Sequence, residues 1–239
     1  MKLSYDFHIH TALSPCGENT MTPNNIVNMA LLNGLDVIAI SDHNTCQNVE
    51  AVMQVAKGTK LLVIPGMEIE TKEEIHIVCL FQDLKTAYEM QNCIFNKLPS
   101  IQNKDQIFGE QLLFNSEDDI IGRMDRLLVQ ATELSLNEVL KLVQEHHGAF
   151  IPAHIDRPSY SIISNLGMIP SNLNLPTLEI SRHADYEAYV KQYSNYSILQ
   201  SSDAHELGFI GICNRQIEVN TKSIQCIIES INAIPPVNK

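Results

Sequence analysis

The sequence predicts an α/β fold, a barrel built on a mostly parallel sheet, and three observations carry that expectation. Short apolar runs alternate with segments of helical period, the signature of successive βα units. His8, His10, His43, His76, His154 and His205 all lie within or just after such runs, where the strand ends of an α/β barrel gather on one face. A chain of 239 residues also suits one α/β barrel.

In order, residues 2–9 read as the first strand. A helix follows over 23–33, with Thr22 as N-cap, Pro23 at its first position and Gly34 as its stop. Residues 36–41 (DVIAIS) form the next strand, 48–57 a helix ended by Gly58, and 60–64 and 74–81 (EIHIVCLF) two further strands. Residues 83–97 have helical spacing. The rhythm then breaks over 99–132, read as an insertion with a hairpin whose acidic run, Glu117, Asp118 and Asp119, is a solvated turn. Ser135 and Glu138 form a capping box for the next helix, which Gly148 closes. Strands at 149–153, 177–180 and 197–200 are separated by helical pieces at 159–165 and 185–193. A last strand at 216–219 precedes a helix over 223–231 with Ile224, Ile227, Ile228 and Ile231 on one face. The whole chain, 1–239, is expected to be one domain.

Composition narrows the function classes. A hydrophobic content of 44% excludes a disordered chain, and no apolar run nears the roughly 20 residues that span a bilayer. With no signal peptide at residues 1–6, a cytoplasmic protein without a membrane partner is expected. The net charge of −12 argues against a broad phosphate-backbone footprint, so long nucleic acid is not expected as a partner; bound cations that reverse the field locally leave room for a short one. The 6 Cys are scattered without a CxxC pair and read as reduced thiols, with Cys46, Cys79, Cys93, Cys213 and Cys226 as small core residues.

The strand-end His have acidic companions: Asp42 beside His43, Glu68 and Glu70 after Pro65-Gly66, Asp156 near His154, and Asp203 before His205. Mixed His and carboxylate donors suit Zn, Mn or Fe. His8 and His10 alternate on a strand, so both imidazoles point to one face and can close on one ion. A single strand His is more often an ordinary satisfied polar group, but several buried without a shared partner would each cost several kcal/mol. Arginine is scarce, which draws attention to Arg157, three residues after His154, and to Arg182 with His183 after the strand 177–180. A guanidinium fork matches phosphate bidentately, with a surface ion pair on an acidic protein as the alternative; the position just after a motif strand favours phosphate for Arg157 and leaves both readings open for Arg182 and His183. His146 and His147, at a helix end, read as partners of the helix C-terminus.

These residues fall into short motifs: FHIH at 7–10, SDH at 41–43, PGMEIE at 65–70, EIHIV at 74–78, PAH at 152–154 and SSDAH at 201–205. In that order they resemble the PHP (polymerase and histidinol phosphatase) family. The resemblance implies a distorted (β/α)7 barrel with two or three divalent metal ions that hydrolyses a small phosphorylated substrate. It implies one ion on His8, His10, Glu68 and Asp203, a second on Glu68, His76 and His154, and a third on His43 and His205. Where some relatives place a further His, this chain has Cys16, with Glu18 as the rival donor; Asp42 is a further candidate ligand. Asp203 is the expected proton acceptor, with a pure ligand role as the alternative; His205 or a metal-bound water protonates the leaving group and Arg157 holds the phosphate. Within the family, a nucleoside 3′,5′-bisphosphate or a short oligonucleotide end is favoured over histidinol phosphate. The remaining alternatives are an amidohydrolase, disfavoured because Glu68 stands where a carbamylated Lys is needed, and a non-catalytic metal-binding domain. Nothing in the residues fixes the oligomeric state.

Overall fold

The computed structural model describes residues 1–235; residues 236–239 of the expected domain lie outside the described residues. Its first elements are β1 (Lys2–Ile9), α1 (Pro23–Leu32), β2 (Val37–Ile40), α2 (Val49–Ala56), β3 (Leu62–Glu70), β4 (His76–Leu80) and α3 (Leu84–Phe95). Residues 99–132 carry α4 (Asp105–Phe108), β5 (Leu112–Phe114) and β6 (Ile120–Arg123). The chain then continues through α5 (Leu136–Glu145), β7 (Ala149–Pro152), α6 (Ile162–Leu166), β8 (Thr177–Ile180), α7 (Tyr186–Gln192), β9 (Ser197–Gln200), β10 (Arg215–Glu218) and α8 (Ile224–Ile231).

The main sheet has the order β10-β1-β2-β3-β4-β7, and β8 with β9 forms a parallel ribbon. This ribbon bridges the edges of the curled sheet. Ile155 N donates to Glu179 O on one side, and on the other Ala204 N donates to His8 O while His10 N donates to Ala204 O. Seven strands thus ring a common centre, with β10 beside the lower half of β1, as a distorted PHP-type barrel requires. The sheet is mixed rather than mostly parallel: β3–β4, β4–β7 and β1–β10 are antiparallel. The physical reason at β3–β4 is a tight turn over residues 71–75, with Glu74 at φ 59 and its N–H bonded to Thr71 O, too short for the dozen or so residues of a parallel crossover. Hydrophobic period alone does not encode strand direction.

Alternation along the strands divides the core in two. One face carries Val37, Ala39, Ile64, Val78, Leu80 and Ile151, packed with Tyr5, Phe7 and Ile227, Ile228 and Ile231 of α8. The opposite face, with Ile38, Ile40, Met67, Ile77 and Phe150, packs against α1, α2, α3 and α5. Glu68 and His76 continue the first face upward. Pairing of β1 with β2 shifts register between Asp6 and Ile9, an irregularity of the kind that re-aims side chains. Gly66 stands where the strands are closest: a Cβ there would meet Cys79 O and Ile40 O at 2.9 Å.

Residues 99–132 contain the expected hairpin, β5–β6. Its acidic turn is not merely solvated. Asp118 accepts from Thr22 Oγ1 (2.6 Å) and Asn24 N (3.0 Å), so it caps α1 in place of the Thr22 side chain. The capping box of Ser135 and Glu138 forms as read. His146 Nδ1 lies 2.8 Å from Leu142 O, a helix-end contact. All six thiols are free; Cys46 and Cys79 are buried, but Cys93, Cys213 and Cys226 are only part-buried, two of them at the margins of amphipathic helices rather than in the core. Among the described residues no helix is long and apolar enough to cross a membrane.

Candidate metal centre

The upper ends of β1, β2, β3, β4, β7 and β9 bring the expected residues together. His8 and His10 leave β1 with Nε2 atoms 3.1 Å apart, each 3.3–3.5 Å from Asp203 Oδ1 and 3.3–3.4 Å from a Glu68 oxygen. Glu68, at the middle of this group, also lies 2.9 Å from His76 Nδ1, 3.1 Å from His43 Nδ1 and 3.2 Å from His154 Nε2. His205 stacks on His10 at 4.1 Å and places Nε2 3.1 Å from Cys16 Sγ. Among the described residues, three sets have donor atoms close enough for one ion: His8, His10 and Asp203; His10, His43 and His205; and His43, Glu68 and His76.

Hydrogen bonds behind the cluster set the ring orientations. His8 Nδ1 donates to Glu179 Oε1 at 2.8 Å, and His10 Nδ1 to Ser14 Oγ at 2.9 Å. Ser14 Oγ in turn donates to Asp42 Oδ1 at 2.6 Å. These bonds place the protons on Nδ1 and leave both Nε2 lone pairs facing each other in a buried space, an arrangement that calls for a cation between them. Among the described residues, His76 Nε2 and His154 Nδ1 are buried without hydrogen-bond partners. The donor set therefore fits divalent metal, in the His and carboxylate chemistry of Zn, Mn or Fe.

The charges are mutually dependent. Burial opposes the charged form of every member. Even so, His76, His8 and His43 hold Glu68 well below the usual carboxylate range, and His8 and His10 do the same for Asp203. Glu179 and Glu68 raise His8; Cys16 and Glu68 raise His43; Glu68 raises His76. His10 goes the other way, lowered by burial and by its neighbour His205. Burial would raise the Cys16 thiol, but His43 and His205 outweigh it and bring the thiol down to about 6. Backbone strain collects here too: Asn44 (φ 54), His154 (φ 31) and Asp203 (φ 50) occupy conformations unusual for residues other than glycine.

Not every expected residue joins the cluster. Asp42 lies behind it, its oxygens taken by Thr11 N, Thr11 Oγ1 and Ser14 Oγ, so it reaches the site through Ser14 and His10. Arg157 pairs with Asp203 Oδ2 and keeps its outer side in solvent. Arg182 donates to Ser202 O at 2.7 Å and covers the Phe209 ring at 4.1 Å, so its guanidinium braces the loop that carries Asp203; His183 is exposed. Glu70 lies 3.7 Å from His76 Nε2. Glu18 directs its carboxylate to Thr20 and only its backbone N–H to His205 O, which leaves Cys16 as the donor nearest His205. Sequence reasoning passed over Glu179, Ser14 and Tyr160. Glu179 had a signal, an acid inside the apolar run TLEI; Ser14 and Tyr160 had none. The cluster opens into a mouth of about 200 Å³ lined by His43, Glu68, His76, His154, Asp203 and His205 themselves, with Val129, Arg157 and Tyr160.

A barrel whose strand ends converge on a His and carboxylate site fit for divalent metal defines the class of metal-dependent hydrolases. The PHP domain model matches residues 6–156, and the chain belongs to the PHP family of metal-dependent phosphoesterases. The chain is 27% identical over 248 residues to the uncharacterized protein YqxK of Bacillus subtilis, covering 88% of this chain and 57% of that protein. It is 36% identical over 113 residues to a 5′-3′ exoribonuclease of Salmonella typhimurium, covering 45% of this chain and 37% of that one. The lesion-specific endonuclease Q of Pyrococcus furiosus shares the fold at TM-score 0.68 and 19% identity, over 97% of this chain and 56% of that one. The chain thus spans little more than half the length of these proteins, or less.

The expectation that long nucleic acid is excluded as a partner does not stand. Endonuclease Q, alike in fold at TM-score 0.67, has been solved with a 27-mer duplex substrate, and curated relatives are named exoribonucleases. Net charge averages over the whole surface, whereas a strand end meets only the mouth, where bound cations would set the local sign.

Proposed function

We propose that the chain hydrolyses a phosphate ester at the end of a nucleotide or nucleic-acid strand, using two or three divalent ions. The observation that carries this reading is the convergence of His8, His10, His43, Glu68, His76, His154, Asp203 and His205 beneath a mouth of about 200 Å³, room for a terminal phosphate and its sugar. The relatives named as exoribonucleases support the nucleic-acid class of ester.

In this reading His8, His10, Glu68 and Asp203 hold one ion, Glu68, His76 and His154 a second, and His43, His205 and Cys16 a third. Bound ions polarise phosphoryl oxygens and bring the pKa of a coordinated water toward 7. Glu68 supplies the negative charge that lets cations sit close together. Glu179 fixes the His8 tautomer, and Asp42 fixes that of His10 through Ser14. Arg157 offers its solvent-side N–H groups to the phosphate, with Asp203 orienting it. Asp203 takes the proton of the attacking water, and a water at the open mouth, rather than the metal-holding His205, delivers one to the departing oxygen.

Purified protein loaded with Mn²⁺ or Zn²⁺ should release phosphate or mononucleotides from adenosine 3′,5′-bisphosphate and from short 5′-phosphorylated RNA and DNA faster than from histidinol phosphate. Preferential hydrolysis of histidinol phosphate, or turnover of none of these, would overturn the proposal.

A further inference from the structure

Tyr160 stands at the rim of the mouth in an unusual state. Its backbone has φ 55, a conformation that strains a bulky aromatic residue, so its surroundings must hold it there. They do so by identifiable contacts: His76 N donates to Tyr160 O at 3.0 Å, and the next residue, Ser161, caps α6 while its Oγ donates to Arg157 O at 2.9 Å. The ring stacks on His76, with centroids 4.8 Å apart and planes 29° apart. Yet the residue is 46% exposed. A side chain needed only to brace His76 would gain by burying both faces; this one keeps its remaining surface in solvent at the entrance.

Size says what that surface meets. Pockets that enclose a whole drug-sized ligand run from about 300 to 1,000 Å³, and the mouth here is smaller. A phosphate and its sugar fill it, so whatever the sugar carries must rest on the rim. Arg157, three residues before Tyr160 on the same loop, already faces the place of the phosphate. We infer that Tyr160 is a substrate-binding residue that stacks on the base attached to the sugar of the hydrolysed ester, selecting nucleotides over base-free sugar phosphates without reading which base is present. Every base has a π-face, so such a platform is tolerant of sequence. This inference rests on the phosphoesterase reading above.

The test compares adenosine 3′,5′-bisphosphate with the same bisphosphate on a base-free tetrahydrofuran sugar, using metal-loaded wild type, Tyr160→Asn and Tyr160→Phe. Asn tolerates the left-handed backbone, so the ring is removed without adding strain. The expected result is a KM for the nucleotide raised on the order of ten- to a hundredfold in Tyr160→Asn, with the base-free ester cleaved as by wild type, metal content unchanged, and Tyr160→Phe like wild type. Equal losses on both esters, or loss of metal, would make Tyr160 a brace for His76 and overturn the inference while leaving the phosphoesterase reading in place. No change on either ester would also overturn it. Failure of wild type to cleave either ester would strike the underlying reading and this inference with it.

Discussion

Two layers of the strand ring sit on the same strands and differ in what holds them together. The lower layer, with Tyr5, Phe7, Val37, Ile64, Val78 and Ile151, is apolar and buried, and its side chains need only one another. The upper layer, a few residues further along, is also buried but ionisable: Glu68 is 1% exposed, and His8 and His10 are 0% exposed. Its members are stable there only as a set, because each charged form needs an opposite charge beside it. The difference teaches that one layer carries the fold and the other spends part of that stability on a preorganised site. Positive φ at Asn44, His154 and Asp203, in or beside the upper layer, fits that division.

Changes confined to one layer should therefore leave the other's property intact. The largest effect belongs to Glu68→Gln, which removes the charge shared by His8, His10, His43, His76 and His154. Hydrolysis and metal affinity should each fall by at least about a hundredfold, more than the loss of an outer hydrogen-bond partner, while the circular dichroism spectrum stays that of wild type. Full metal occupancy in this variant would remove Glu68 from the centre of the account.

The converse change is Ile151→Ala in the lower layer. It should cost about 2–5 kcal/mol in urea denaturation, with activity per folded molecule and metal content unchanged at low temperature. A loss of metal without a loss of stability would erase the distinction between the layers. A smaller effect is expected for Glu179→Gln, which touches the upper layer only through His8 Nδ1: metal affinity should drop by about ten- to a hundredfold, read by competition with a chelator.

The upper layer also has a pH signature in the metal-free protein. Glu68, lowered from 4.5, contributes stability that is present above its unfolded value and lost as pH falls toward its folded one. His43 and His76, raised from 6.5, contribute stability that is full below 6.5 and lost as pH rises through their folded values. Metal-free wild type should thus be most stable between about pH 4.5 and 6.5, and Glu68→Gln should flatten the profile. Identical profiles for the two proteins would show that the carboxylate and imidazoles do not depend on each other.

How much of this was legible in the sequence follows the same division. Alternation in DVIAIS and EIHIVCLF marked the strands, and the His and acids at their ends marked the upper layer before any geometry was known. The antiparallel runs of β4 and β10 were hidden because side-chain period is the same in either direction. The cap that Asp118 places on α1 was hidden because its partner lies 94 residues away. Glu179 was passed over because a strand acid is easily taken for a surface residue until its partner, His8, is seen beside it. Asp42, adjacent to His43 in sequence, is expected as a ligand; just past the end of β2 the two neighbours turn to opposite sides, and its carboxylate goes to Thr11 and Ser14 instead.

Whether the upper layer holds several metal ions is read from the metal content of purified wild type by mass spectrometry after dialysis against a trace of Mn²⁺ or Zn²⁺. Two or three equivalents per chain are expected, and retention of none would show that the upper layer holds no metal.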